Sequence, residues 1–276
     1  TDWYMVKILF NLHHEKITLE HINFIQLSLK ESKFSGILNS DIENFVLPVL
    51  IEYDMKEHLL ELLKIIFDYK IVDKGTSYQE REPLLEKYWL NSLLEKHSDS
   101  IIKLIDIEGL EILIPIIKQV IEEDNAAFNN VWISTIEEHP QNSFPDRYDN
   151  QIISFTRDLL EHLTKENVES YTEKFLEEQH PIFKRLAFHT INNKYDELKA
   201  IFWNWFEANK DTINSTFKHE FYKLLEDNNN RFSDDEFDKI IDWIESLDYK
   251  KYYDDVLPEQ LEVLTEKKKK EWLWSV

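Results

Sequence analysis

Apolar residues recur with a helical period along the whole chain. The stretch LLELLKIIF, residues 59–67, and the stretch DDEFDKIIDWIESL, residues 234–247, place apolar side chains three and four positions apart. This spacing puts them on one face of an α-helix, where they can pack against a core. The stretch EGLEILIPIIKQVIEE, residues 108–123, is apolar on more than one side, which predicts a helix between two layers. Over the whole chain the pattern predicts roughly ten to twelve helices of ordinary length.

Helix-start signals agree with this periodicity. Ser233 with Glu236, and Ser77 with Glu80, have the spacing of a capping box. In that motif a hydroxyl and a carboxylate bond the free amides of a first helical turn, so both pairs predict helix starts. Asp146 stands before the stretch IISFTRDLLEHL and is a predicted N-cap for its helix.

The scarcity of glycine favours an all-α fold. Only 3 glycines occur in 276 residues, whereas the hairpin turns of a β-rich chain need many more. A string of helices with short connections and no strand signal predicts an irregular HEAT-like or TPR-like α-solenoid of stacked helix pairs. The loop from His139 to Asp146 contains Pro140 and Pro145. We therefore divide this continuous solenoid into N-terminal repeats, residues 1–138, and C-terminal repeats, residues 139–276.

Charge and cysteine content narrow the classes of partner. The formal net charge is −22, and the acidity is spread over both halves of the chain. A field of this sign repels nucleic-acid phosphates and anionic membranes, and it suits a basic protein partner. Cysteine is absent and no apolar run has the length of a membrane span, so the expected location is the cytoplasm.

Motifs that carry chemistry are missing from the sequence. It has no HExxH pair, no G-x-S-x-G elbow and no glycine-rich phosphate loop, which predicts no catalytic residue, no cofactor and no metal. The chain is therefore expected not to be an enzyme. One enzymatic alternative is a metal-dependent nuclease built on Asp234, Asp235 and Asp238, since Asp234 and Asp238 share a helical face. The more economical interpretation is that these acids complement a helix N-terminus.

Two carboxylates and a histidine stand together in VWISTIEEHPQN, residues 131–142. Glu137 and Glu138 would point about 100° apart on a helix and could not converge on one atom. His139 precedes a proline, which disfavours the helical conformation there. This pattern predicts the end of a helix whose acids find other partners, rather than a catalytic pair.

Aromatic clusters are the best candidates for a contact surface. The stretch AIFWNWF carries Trp203 and Trp205, and the stretch YKKYYDD carries Tyr249, Tyr252 and Tyr253. Exposed tryptophan and tyrosine rings are efficient anchors for protein partners, so we predict partner binding at these five positions. The alternative for each ring is that it fills a seam between helices.

Several stretches, taken in chain order, resemble one family. VWISTIEEHPQN with IISFTRDLLEHL is similar to a Trp-Ile-acid-His-x-Gln-Asn segment followed by an Arg-Asp helix. HPIFKRLAFHTI resembles a helix with the pattern Arg-x-Ala-x-His, and HEFYKLLEDNNNRFSDDEFDKIIDWIES resembles a Glu-x-Tyr-x-x-Leu-Leu hairpin with a Trp-Ile helix. KKKKEWLWSV resembles a lysine-rich Trp-Leu helix. These patterns resemble the helical region behind the NTPase module of bacterial STAND (NACHT-like) antiviral proteins of the AVAST type, over residues 125–276.

The resemblance implies a function for the chain. It implies a fragment of a larger protein whose NTPase lies outside it, with a helical sensor or arm that inspects phage proteins and releases an effector on binding. The implied partner is a protein, and a homo-oligomer could form through the parent protein. The alternative is a helical-repeat scaffold of another pathway, such as complex assembly or trafficking.

Overall fold

The computed structural model describes residues 2–31, 35–72, 80–129, 135–139, 142, 146–213, 216–248 and 258–276. The chain divides into two compact units. The first contains Thr1–Ser134 and Glu138–Val168, and the second contains Thr135–Glu137 and Glu169–Val276. This division assigns the helix that follows Asp146 to the first unit, whereas the predicted boundary lies before it.

The first unit is built mainly of helices. Its helices are α1 (Asp2–Leu9), α2 (Leu19–Glu31), α3 (Ser35–Asp41), α4 (Leu47–Glu52), α5 (Lys56–Ile66), α6 (Lys87–Ile105), α7 (Glu108–Glu123) and α8 (Tyr148–His162). Short 3-10 and π segments cover His14–Lys16 and Ile42–Val46. The helices predicted over residues 59–67, 108–123 and 152–163 are confirmed as α5, α7 and α8.

The core of the first unit forms where these helices present their apolar stripes. Leu59, Leu62 and Leu63 of α5 are fully buried, and α5 packs against α2, α6 and α7. Gly109 allows α7 to come close to α8, because a Cβ atom there would lie 2.7 Å from both the Ile105 Cδ1 and the Leu159 Cδ2 atoms. A larger residue at this position would push the ends of the Ile105 and Leu159 side chains aside.

A two-stranded antiparallel sheet interrupts the helices of the first unit. Strand β1 (Tyr69–Val72) pairs with β2 (Glu80–Pro83). The expectation of no strand was wrong here, and so was the helix start at Ser77–Glu80: Glu80 begins β2, and Ser77 lies outside the described residues. The segment YKIV is short and carries β-branched residues, which is a strand signal that a search for helical periodicity passes over.

In the described residues of the second unit, all the regular secondary structure is helical. Helix α9 (Lys165–Glu177) begins in the first unit and continues into the second. The other helices are α10 (Pro181–Asn193), α11 (Tyr195–Asn209), α12 (Lys218–Asn228), α13 (Asp234–Ser246) and α14 (Pro258–Leu273), with 3-10 turns at Lys210–Thr212 and Asn229–Arg231. The capping box at Ser233 and Glu236 is confirmed as the start of α13, with both reciprocal hydrogen bonds present.

Candidate functional site

The structure places two of the predicted partner-binding residues in the core of the second unit. Trp203 and Trp205 of α11 are only 8% and 9% exposed. The Trp203 indole N–H donates to the Tyr195 hydroxyl at 3.0 Å, and the Trp205 ring packs edge-on against Phe188 at 5.0 Å. Rings of neighbouring segments enclose both tryptophans, which leaves little of either surface for a partner. The prediction is therefore corrected at these two positions, where the tryptophans fill seams between helices.

The other three predicted contact residues, Tyr249, Tyr252 and Tyr253, lie outside the described residues. Their part in partner binding stays a prediction. The structure shows exposed aromatic rings that the sequence analysis did not select: Trp274 is 82% exposed and Tyr88 is 71% exposed. Helical periodicity alone cannot separate such rings from buried ones when a stripe is apolar on several sides.

The acidic stretch around Glu137 is not helical at residues 135–139, so the predicted helix end is wrong for this part of the stretch. The two carboxylates do have separate partners. The Glu137 carboxylate lies 3.4 Å from the His219 Nε2 atom within the second unit, and Glu138 pairs with Arg157 at 3.1 Å within the first. The expected divergence of the two acids is therefore confirmed.

A buried ion pair joins α10 and α12 of the second unit. The Arg185 guanidinium of α10 donates two hydrogen bonds to Glu220 of α12, at 3.0 Å from Nε and 2.7 Å from Nη2. The two side chains are only 1% and 3% exposed. The Ile136 backbone N–H also donates to the Glu220 carboxylate, at 3.2 Å. This bidentate geometry gives each charge directional partners, which a buried pair needs to offset its desolvation.

The ion pair and the Ile136 amide that bonds it come from three separate motifs of the sequence. Ile136 lies in VWISTIEEHPQN, Arg185 in HPIFKRLAFHTI and Glu220 in HEFYKLLED. A cavity of about 10 Å³ adjoins the pair and is lined by Glu137, His189, Asn192, His219, Glu220 and Lys223. This volume is about that of one water molecule, so the cluster has a structural role and leaves no room for a substrate.

Three aromatic residues of the later motifs pack together beside this pair. Phe221 of α12 lies 5.6 Å from Trp243 of α13 and 5.8 Å from Trp272 of α14, measured between ring centres. Trp243 and Trp272 are themselves 5.0 Å apart. Such edge-on contacts contribute beyond the burial of area alone, so the motif residues hold three helices together.

Metal-ligating side chains converge at one exposed place among the residues that the structure describes. The ligand atoms of His13, His14 and Glu15 lie within 4.8 Å of one another. The Glu15 side chain is 78% exposed, and the group offers three protein ligands where a structural zinc site uses four. Asp234 and Asp235 instead occupy the first turn of the capped helix α13, so they complement its dipole.

A cavity in the first unit is lined in part by Arg81. It has a volume of about 690 Å³ and is lined by residues of α2, the two strands, and the first turns of α6 and α8. The Arg81 side chain is 2% exposed; its Nη1 atom lies 3.5 Å from Asp149, and its Nη2 atom lies 3.5 Å from Asp124. Both contacts are long for charge-assisted hydrogen bonds.

Tyrosines stand beside the Arg81 cavity with their hydroxyls engaged. The Tyr69 hydroxyl donates to Glu123 at 2.6 Å, and the Tyr148 hydroxyl donates to the Phe67 carbonyl at 2.7 Å. Burial raises the pKa of Tyr69, and the Glu123 carboxylate raises it further. Burial likewise raises the pKa of Tyr148. Both groups stay neutral near pH 7 and act as hydrogen-bond donors.

Comparison with known proteins gives no further assignment. No family model matches the chain, and no match is found among curated proteins or among solved structures. None of the helices in the described part of the chain combines the length and apolar character that crossing a bilayer requires.

Proposed function

We propose that this chain is a non-catalytic protein-interaction segment, the sensor or arm of a bacterial antiphage STAND NTPase, and that it recognises a phage protein. The observation that carries this proposal is the convergence of Ile136, Arg185 and Glu220 on one buried ion pair. These residues belong to three of the motifs on which the family resemblance rests. Motifs distant in sequence that meet in one packed cluster support a shared architecture.

The finer arrangement that we propose is an irregular HEAT-like stack of helix pairs within each unit. In the second unit α10 packs against α11 and α12, and in the first unit α5 packs against α4, α6 and α7. Packing among helices near in sequence supports a repeat array, because each pair then buries its apolar face against its neighbours.

Surface properties support a protein ligand. The net charge of −22 suits a basic protein surface. Apolar side chains are also exposed on α1, where Tyr4 and Ile8 lie one turn apart with 58% and 59% of their surface accessible. Exposed apolar side chains of this kind are common at protein contacts.

A phage challenge tests the proposal directly. Cells carrying the full-length gene, a deletion, a Glu220→Ala variant or a Glu226→Ala variant are infected with a diverse phage panel, and plaques are counted. We expect protection with the full gene and with Glu226→Ala, since Glu226 is an exposed residue on the same helix. Protection should be lost with the deletion and with Glu220→Ala. Equal plaque counts with and without the gene, across all phages, would favour the scaffold alternative.

A further inference from the structure

Three side chains that can bind a metal ion meet in the connection between α1 and α2. His13 has a non-helical backbone, with φ −56° and ψ 133°, and His14 begins the 3-10 turn that follows it. The Lys16 backbone N–H donates to the His13 carbonyl at 2.8 Å and closes this turn. One ligand atom from each of His13, His14 and Glu15 lies within 4.8 Å of the other two. Three consecutive residues therefore direct their side chains to one small region.

Two of these ligand atoms already have the separation that a bound ion requires. The His13 Nδ1 atom lies 3.6 Å from the Glu15 Oε2 atom. Two ligands of a tetrahedral zinc ion, each about 2.1 Å from the metal, are about 3.4 Å apart. The His14 nitrogen lies within 4.8 Å of both partners, so a shift of roughly 1 Å in a solvent-accessible connection brings in the third ligand.

Packing orients the His14 ring while its nitrogens stay available. The ring stacks on Tyr53, with the ring centres 4.1 Å apart and the planes 10° apart. Its other face neighbours the His13 ring at 4.4 Å. Within the described part of the chain, no protein group hydrogen-bonds to the His14 ring nitrogens. Stacking limits the rotation of the imidazole, so less freedom is lost when it binds an ion.

The expectation of no metal came from motif spacing on helices. In an α-helix consecutive side chains point about 100° apart, so three adjacent ligands cannot converge. Residues 13–15 escape this limit because α1 has ended at Leu9 and the backbone changes direction at His13. A His-His-Glu run in a connection is therefore a metal signal that the helix-based HExxH motif does not include.

We propose that His13, His14 and Glu15 bind one divalent transition-metal ion of the zinc type, with water in the remaining position. Two imidazoles and one carboxylate suit zinc, nickel and copper(II), whereas magnesium and calcium prefer oxygen ligands alone. Three protein ligands and one water are a coordination that zinc accepts in proteins. The net charge of −22 also favours the approach of a cation. The site is independent of the proposed protein partner, so the two proposals can fail separately.

Calorimetric titration of the full chain with zinc chloride tests this site. Magnesium chloride at the same concentrations is the comparison ion, in a buffer that does not bind metals. We expect saturable zinc binding in the micromolar range at one site per chain, and no saturable heat with magnesium. Absence of a saturable zinc heat, or saturation only at millimolar zinc, would overturn the proposal.

Variants locate the bound ion. His14→Gln should weaken zinc binding about tenfold or more, because it removes one of three protein ligands. Glu15→Gln keeps the side-chain size but replaces the carboxylate with a neutral amide, and it should also weaken binding. His162→Gln is the matched control, since His162 is an exposed histidine on α8 of the same unit, and it should bind zinc as the unsubstituted chain does. Unchanged affinity in His14→Gln, or an equal loss in His162→Gln, would refute the assignment.

Paramagnetic broadening gives a readout that needs no variant. Copper(II) is the probe, because it binds nitrogen and oxygen sites more tightly than zinc does. Substoichiometric copper(II) added to the unsubstituted chain should broaden the amide resonances of residues 13–16 and of Tyr53, which stacks on His14. Broadening at other histidines, with none at these positions, would overturn the site.

Discussion

Each unit contains a buried arginine, and the two differ in how well their neighbours satisfy them. Arg185 forms a bidentate pair with Glu220 at 2.7 Å and 3.0 Å, beside a cavity of about 10 Å³. Arg81 reaches its carboxylates only at 3.5 Å and lines a cavity of about 690 Å³. Equal burial thus conceals two environments, because Arg185 has short hydrogen bonds to one carboxylate whereas Arg81 has only long contacts with two.

The difference follows from the elements that carry the two residues. Arg185 and Glu220 project from α10 and α12, which pack against each other, so their side chains are held in register. Arg81 is on the four-residue strand β2, and its acidic neighbours Asp124 and Asp149 lie at the end of α7 and the start of α8. Ends of elements leave space between them, whereas packed helix faces do not.

The largest effect should come from breaking the satisfied pair. Glu220→Ala leaves Arg185 buried without its carboxylate and should lower the free energy of unfolding by about 3–5 kcal/mol. Urea denaturation followed by circular dichroism measures this loss. Glu226→Ala, an exposed position on the same helix, is the control and should cost at most about 1 kcal/mol. Similar losses in the two variants would show that the buried pair is not special.

Replacing both partners should cost less than removing one. An Arg185→Met, Glu220→Leu double variant substitutes apolar groups of similar size, so no charge stays buried alone. Its unfolding free energy should lie within about 2 kcal/mol of the unsubstituted chain. Urea denaturation of the double variant and both single variants completes the thermodynamic cycle. A double variant as unstable as Glu220→Ala would contradict this explanation.

The arginine with the longer contacts, Arg81, should matter less for stability. Arg81→Met should lower the free energy of unfolding by about 1–2 kcal/mol, because the lost contacts are long. In the variant, Asp149 still has its ion pair with Arg147 at 3.2 Å. Asp124 is also 25% exposed and retains water. The measurement is again urea denaturation. A loss as large as that of Glu220→Ala would remove the distinction between the two arginines.

The capped helix of the second unit provides a smaller test. Ser233→Ala removes the side-chain acceptor at the start of α13 and should cost about 1 kcal/mol. Ser233→Asp keeps an acceptor at the cap and serves as the control. Thermal melts of both variants measure the effect. Equal melting temperatures for the two variants would mean that the capping box does not stabilise α13.

A comparable effect should appear at alkaline pH. Burial raises the pKa of Tyr195 from the ordinary 10.0 to about 12. A folded-state pKa above the unfolded value means that stability is fully present below pH 10 and is lost as pH rises towards 12. Urea denaturation at pH 8 and pH 11 should show this loss. Tyr195→Phe should lose less over the same range, and an equal loss would assign the effect to other groups, including Tyr148.

The sequence predicted the helices whose period is regular and whose caps are local. The stripes of α5, α7 and α13 and the capping box at Ser233 follow from neighbouring residues alone, so no distant contact was needed to find them. The hairpin of β1 and β2 was missed because four-residue strands carry little periodic signal. The burial of Trp203 was missed because a helix with rings on several sides does not reveal which side is covered.

By itself, the sequence determined a helical chain rich in acid, whose motif residues are typical of packing. It also contained all the residues of both arginine sites, but as separate fragments. Only the tertiary structure decided that Glu220 meets both Arg185 and the Ile136 backbone N–H, since residues 136 and 220 are far apart in the chain. It also decided that Arg81 meets its two carboxylates, Asp124 and Asp149, only at 3.5 Å. Local period fixes secondary structure, whereas the satisfaction of a buried charge depends on which distant groups the fold brings within hydrogen-bond reach.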